Sequence, residues 1–307
     1  MSLFADELQK SISSAPIAST RIVDPRRWTV TGDKYHQCGD TVETVPSGCY
    51  QVNNDDRGIH LEKHTYVSDS LIKLPDSVSN RVLAAVTGFW DAEANFRKYG
   101  VTFKRGILLW GQAGVGKSGA IMLAVQDVIA RGGIVLINRM NGGSIGLLSA
   151  GISILRAIEP KRPIVVVIED IEEVIEDETE RSVLSMLDGE HQTDGICYIA
   201  TTNFPEKLGA RLLKRPSRFD EVIKAEPPTE EARAVYFKHM LSEDTPANWI
   251  KDTDDMPLSF LRELVVGVKC LGREYADVLA RLKELNVKPE SVPEFERTNT
   301  VGFGGKK

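Results

Sequence analysis

The chain has 307 residues, of which 42% are hydrophobic and 27% charged, so it can fill a folded core and is not a disordered polymer. A net charge of −6 gives no basic footprint for non-specific nucleic-acid binding. Its four cysteines, Cys38, Cys49, Cys197 and Cys270, include no C-x-x-C pair, which points to free thiols in a reducing compartment rather than a disulfide framework.

Residues 1–75 have a texture of their own. Turn signals at Asp24-Pro25, Pro46-Ser47-Gly48 and Asn53-Asn54-Asp55-Asp56 separate short β-like runs at 48–52 and 58–62. A small β-rich or irregular N-terminal region is expected, of the kind that chooses a partner. His36, Cys38, Cys49 and His60 are spaced too irregularly for a zinc set. Pro75-Asp76 then opens a helix in which Val78, Val82, Val86, Phe89 and Trp90 recur at helical spacing, the aromatic pair as core.

The run Gly106-Ile107-Leu108-Leu109-Trp110 reads as a buried parallel strand, and Gly119 to Gln126 as a helix. Between them stands Gly111-Gln112-Ala113-Gly114-Val115-Gly116-Lys117-Ser118, the pattern G-x-x-x-x-G-K-[ST] of a phosphate-binding loop. Its glycines let backbone N–H groups face phosphates at a helix N-terminus. Lys117 should reach the β- and γ-phosphates and the Ser118 hydroxyl should meet Mg²⁺, so ATP and Mg²⁺ are the expected ligands.

Ile134 to Asn138 reads as a second strand, Ile164 to Ile168 as a third ending in Glu169-Asp170, Ile196 to Ala200 as a fourth ending in Thr201-Thr202-Asn203, and Asp220 to Lys224 as a fifth. Strands alternate with helices, so the expected fold is α/β, a P-loop NTPase with a parallel sheet of about five strands covered on both faces by helices. Two acids at the carboxyl end of the third strand can hold a metal and polarise water. Pro227-Pro228 closes this large domain, 76–227. Thr229-Glu230-Glu231 caps the first helix of a small all-helical lid, 228–286, and 287–307 is a polar, glycine-containing tail. No apolar run is long enough to span a membrane and the start lacks a signal peptide, so the cytoplasm is expected.

From Lys104 to Tyr236 these motifs, with Leu187-Asp188-Gly189, Ile199-Ala200-Thr201-Thr202-Asn203 and Arg215-Pro216-Ser217-Arg218-Phe219-Asp220, resemble the AAA subfamily of AAA+ ATPases, which includes ring-forming proteases such as FtsH, segregases and remodelling ATPases. The resemblance implies a homo-oligomeric ring, usually a hexamer, that turns ATP hydrolysis into work on a protein substrate or adaptor. It implies Asn203 as the polar sensor of the γ-phosphate, and Arg215 and Arg218 as fingers reaching nucleotide on the neighbouring subunit. Gly272-Arg273 stands where other members carry a lid arginine that contacts nucleotide. The family reads Asp-Glu where this chain has Glu169-Asp170; aligned directly, Glu169 serves the metal with Ser118 and Asp170 activates water, with the reverse assignment open. Lys214 looks like an insertion before the fingers. Ser144-Ile145-Gly146 aligns with the pore loop but has no aromatic, so Ile145 would be a weak paddle and threading is in doubt. No HExxH protease motif follows. A nucleic-acid motor or replication loader ranks lower, because only Arg139 is basic near that loop. A nucleotide-gated scaffold with weak hydrolysis draws on the swapped acid pair.

Overall fold

The structure, a computed structural model, describes residues 28–31, 34–37, 42–64, 72–75, 77–138, 145–177, 180–188, 193–213, 217–241 and 245–286. Expectations that fall on Arg139 to Ser144, Gly189, Lys214, Arg215 or the tail 287–307 lie outside these residues.

The continuous apolar runs form one sheet. Edge to edge it runs β4 (Gly58–Lys63), β3 (Gly48–Asp55), β6 (Ile134–Asn138), β7 (Ile164–Ile168), β8 (Ile196–Thr202), β5 (Lys104–Trp110) and β9 (Glu221–Lys224). Every neighbouring pair is parallel except β3 with β4. β1 (Trp28–Thr31) and β2 (Lys34–Gln37) form a separate antiparallel pair.

Because strand side chains alternate, the two faces carry different residues. Leu108, Leu136, Val166 and Tyr198 face α4 (Ile145–Ile158), α5 (Ile171–Asp177) and α6 (Glu180–Asp188). Ile107, Leu109, Val165, Val167 and Ile199 face α1 (Val78–Asp91) and α3 (Lys117–Ala130). Burial on both sides is why these strands read as unbroken Val, Ile and Leu. Phe89 and Trp90 lie in the second cluster beside Phe103, where Phe89 stacks at a centroid distance of 4.3 Å, and Cys197 is fully buried there. α2 (Glu93–Tyr99) follows α1 and lends Phe96 to the same cluster.

The sheet has seven strands rather than about five, and the difference comes from before residue 75. The runs expected in a separate N-terminal region are instead a hairpin added to the edge of the central sheet, with Tyr50 in register with Leu136. Two things fix it there. Val52 fills the space that a side chain at Gly151 would occupy, 2.6 Å from its ideal Cβ. The buried pair Arg162 and Glu159, 2.7 Å apart, holds the entry to β3: Val45 N–H donates to Glu159 Oε1 at 2.9 Å, and Arg162 donates to Val45 O at 2.9 Å.

On the other side, β5 is pressed against the backbone of the turn before β9. A Cβ at Gly106 would lie 1.8 Å from Arg218 O, a backbone atom that cannot swing aside. Gly106→Ala is therefore expected to cost about 1–3 kcal/mol and to lower the melting temperature by roughly 3–10 °C. Gly88→Ala on the exposed side of α1, where a Cβ meets nothing within 4 Å, is the control and should be neutral or stabilising.

After Pro227-Pro228 the chain folds into the expected helical unit: α8 (Glu230–Leu241), α9 (Ala247–Asp252), α10 (Leu258–Val265) and α11 (Tyr275–Leu285), following the short α7 (Ala210–Leu213) of the large domain. Thr229 caps α8, its Oγ1 accepting from Ala232 N–H at 3.3 Å. Phe237, Trp249, Leu261 and Leu264 form its core, and Leu74, from the segment before α1, is inserted into it. A π-helical turn, Val266–Cys270, joins α10 to the loop before α11. Among the described residues, no helix is long and apolar enough to cross a membrane.

Candidate functional site

The register of the sheet decides what meets at its carboxyl edge. Trp110 pairs with Thr202 and Ile168 with Ala200, so the residues leaving β5, β8 and β7 emerge side by side, with β8 in the middle. They are the glycine-rich loop, Asn203, and Glu169-Asp170. Ligands of open α/β sheets bind at this edge.

The loop Gly111–Ser118 winds tightly into α3. Gly111, Gly114 and Gly116 have φ of 151°, 80° and 102°, where a side chain would be strained. Gly111 N–H donates to Thr202 O at 3.3 Å, which ties the loop to β8. Val115 is buried as an anchor. Gln112 is half-buried, Ala113, Gly114 and Ser118 are exposed, and the Ser118 hydroxyl stands at the head of α3.

Lys117 is 8% exposed, and its Nζ donates to Gly111 O at 2.6 Å, Gln112 O at 3.1 Å and Asn203 Oδ1 at 2.7 Å. Asn203 Nδ2 in turn donates to Asp170 Oδ1 at 3.0 Å. One side-chain carboxamide thus connects the loop cation to a strand-end carboxylate. Burial lowers the pKa of Lys117 to about 8, although Asp170 and Glu172 oppose the shift. Asp170 moves the other way: burial raises its pKa first, the neighbouring carboxylates Glu172 and Glu169 add to that, and Lys117 works against it. Asp170 also has a φ of 47°, left-handed for a residue with a side chain, and its N–H donates to Thr201 Oγ1 at 3.0 Å. Such strain persists where the surroundings over-determine it, and it aims the carboxylate at Asn203.

Glu172, on the first turn of α5, is a site residue that the sequence reading missed. It is 3% exposed, and its Oε1 accepts the backbone N–H of Asn203 at 3.0 Å. Its only sequence signal is a third acid one helical turn beyond Glu169.

The remaining expected site residues are placed differently. Arg218 is buried rather than projecting: its Nε lies 3.4 Å from Asp188 Oδ2, and its guanidinium donates to Arg211 O. Within one protomer it holds the turn before β9 against the end of α6. Arg215 lies outside the described residues. Arg273 is exposed, its N–H bonded to Gly267 O at 3.0 Å. Ile145, expected as a pore paddle, is 1% exposed and packs in the core as the first residue of α4, so its side chain is committed inward.

A cavity of about 580 Å³ opens beside the loop, bounded by Val115, Gly116 and Leu123 on the large domain, Ile72 and Val78 around the start of α1, and Tyr236, Leu258 and Arg262 on the small one. The start of α10 rests on the loop itself. Ser259 N–H donates to Gly114 O at 3.1 Å, and a Cβ at Gly114 would lie 2.0 Å from Ser259 Oγ. Gln112 Nε2 reaches Asn286 Oδ1 at 3.4 Å.

These residues suit a magnesium-bound nucleoside triphosphate. The strained glycine loop and Lys117 supply donors for phosphates, Ser118, Glu169 and Asp170 supply metal-binding oxygens, and the cavity offers an apolar chamber for a base. Ser118 and Glu169 would hold Mg²⁺, whose charge would offset that of the phosphates.

Comparison with known proteins agrees with this geometry. Residues 107–227 match the family model described as "ATPase family associated with various cellular activities (AAA)". Among similar proteins, the "Mitochondrial inner membrane i-AAA protease supercomplex subunit YME1" of Saccharomyces cerevisiae is 26% identical over 56% of this chain and 24% of its own length. The "Proteasome-activating nucleotidase" of Methanococcus vannielii is 26% identical over 56% of this chain and 44% of its own. The "AAA ATPase forming ring-shaped complexes" of Bifidobacterium animalis subsp. lactis is 25% identical over 80% of this chain and 51% of its own. The chain thus matches from a quarter to about half of the length of these relatives.

Proposed function

We propose that the chain, whose residues 107–227 match the AAA family model, is an ATPase that assembles into a ring, a hexamer by resemblance, and uses ATP turnover to remodel or move a protein partner. The observation that carries the ATPase part of this reading is the hydrogen-bonded line Lys117–Asn203–Asp170 across the ends of β5, β8 and β7. It joins the group that neutralises phosphate charge to the group that accepts a proton from water.

In this reading Lys117 and the loop N–H groups bind the β- and γ-phosphates, and Ser118 and Glu169 hold the metal. Asn203 orients the γ-phosphate, and Asp170 takes the proton of the attacking water. A carboxylate whose pKa is raised by burial is the stronger base for that step. The cavity between loop and lid takes the nucleoside. The ring is supported by the relative named as forming ring-shaped complexes. Arg215 is the finger offered to the neighbouring subunit, because Arg218 is already engaged with Asp188 inside its own protomer. The inward Ile145 favours moving or remodelling a partner over gripping an extended chain with that residue. Buried, free Cys49 and Cys197 fit a reducing cytoplasmic setting.

The test is specific ATPase activity against protein concentration for wild type, Arg215→Ala and an equal mixture. Specific activity should rise with concentration, and the mixture should fall below the mean of its components, because each altered subunit disables its neighbour's site. Activity independent of concentration, with a mixture at the mean, would remove the ring from the reading.

A further inference from the structure

We infer that Glu172 is a positioning residue for hydrolysis: it fixes the backbone of Asn203 so that the carboxamide stays between Lys117 and Asp170. The inference rests on the ATPase reading above and adds a residue that neither the motifs nor the family match singles out.

Asn203 follows β8 directly, in a bend beyond the strand ladder. Its side chain must present Oδ1 to Lys117 at 2.7 Å and Nδ2 to Asp170 at 3.0 Å at the same time. A small rotation of the backbone would break one bond or the other. Two side-chain acceptors prevent that rotation. Thr202 Oγ1 accepts Phe204 N–H at 3.0 Å, and Glu172 Oε1 accepts Asn203 N–H at 3.0 Å. Glu172 can do this because Ile171, fully buried, anchors the first turn of α5 under the site.

The second oxygen sharpens the point. Glu172 Oε2 is buried and has no hydrogen-bond partner among the described residues. A buried acceptor left in this way is costly, so a residue chosen for stability alone would not carry it. The carboxylate is therefore placed for one interaction, the hydrogen bond from Asn203 N–H that orients the carboxamide between Lys117 and Asp170.

Two substitutions test this. Glu172→Gln keeps an oxygen for Asn203 N–H; Glu172→Ala removes it. The measurement is steady-state ATPase of the full chain with Mg-ATP, with kcat and KM read separately, together with the affinity of a fluorescent ATP analogue. For Glu172→Ala, kcat should fall on the order of 10²-fold with KM changed much less, as expected for a misplaced orienting group. Glu172→Gln should recover most of kcat, because its Oε1 can still accept Asn203 N–H. Equal kcat losses in the two variants would overturn the positioning role, and so would wild-type kcat in Glu172→Ala. Should Glu172→Ala fail to fold, Glu172→Asp decides, because its carboxylate is one methylene too short to reach Asn203 N–H: wild-type kcat in that variant would overturn the assignment. A wild-type chain that binds no nucleotide and turns none over would overturn both this inference and the ATPase reading; wild-type turnover with unaffected variants would overturn this inference alone.

Discussion

Asp170→Asn is expected to lower the ATPase rate about 10²–10⁴-fold, the range for loss of a positioned general base, while ATP still binds. The substitution is clean for structural reasons. Asn keeps an Oδ1 to accept from Asn203 Nδ2, now at 3.0 Å. Asparagine also tolerates the left-handed backbone that Asp170 adopts at φ 47°. What is lost is the proton acceptor and its charge. Because that charge faces the triphosphate's own negative charge, removing it should leave affinity equal or slightly higher. In the wild type, burial and the neighbouring acids raise the Asp170 pKa, so the carboxylate is lost as pH falls through that raised value. The acid limb of the pH–rate profile should therefore lie above the ordinary aspartate range, and Asp170→Asn should abolish it. Stopped-flow binding and steady-state turnover on the same preparation would check both halves. Normal turnover in Asp170→Asn would transfer the base to Glu169, and Glu169→Gln would then carry the loss.

Lys117→Met should weaken ATP binding itself. The ammonium is the one side-chain cation of the glycine loop, and a charge-assisted hydrogen bond contributes about 1.5–3 kcal/mol, or roughly 10- to 150-fold in affinity. Two such bonds to phosphate would be lost together. The wild type carries a further signature. In the nucleotide-free protein the Lys117 pKa is lowered to about 8 by burial. Above that pH the side chain is increasingly neutral, and phosphate binding must draw a proton from solvent. Affinity should decline by about tenfold per pH unit above pH 8 until the pKa of the bound state is reached. Calorimetry at pH 9 in two buffers of different ionisation enthalpy would register the proton taken up. Lys117→Met should show neither the proton uptake nor the slope.

How much of this was legible in the sequence depended on whether the cause was local. Gly111–Ser118 and the strands around it declared themselves because glycine spacing and double-sided burial leave a mark on contiguous residues. Asn203 and Asp170 could be picked out as strand ends, but their meeting depends on β8 lying between β5 and β7, which is a matter of sheet order. Glu172 was invisible because Ile171-Glu172-Glu173 reads like the solvated first turn of any helix, and only the packing of Ile171 turns Glu172 inward. Arg218 has partners that its local pattern does not announce. Its local pattern is that of an offered guanidinium, yet Asp188, from a helix thirty residues earlier in the chain, claims it. The runs 48–52 and 58–62 were legible as strands, but their place at the edge of the central sheet was not, because the pair that fastens them, Glu159 and Arg162, comes from much later in the chain.

The contact between Ser259 and Gly114 ties the helical unit to the phosphate loop. The lid's α10 begins on a peptide group of that loop, with Ser259 N–H on Gly114 O and no room for even a methyl group between them. There is no slack at this joint: a shift of the loop would press directly on α10, whose Leu261 and Leu264 share one core with Leu282 of α11.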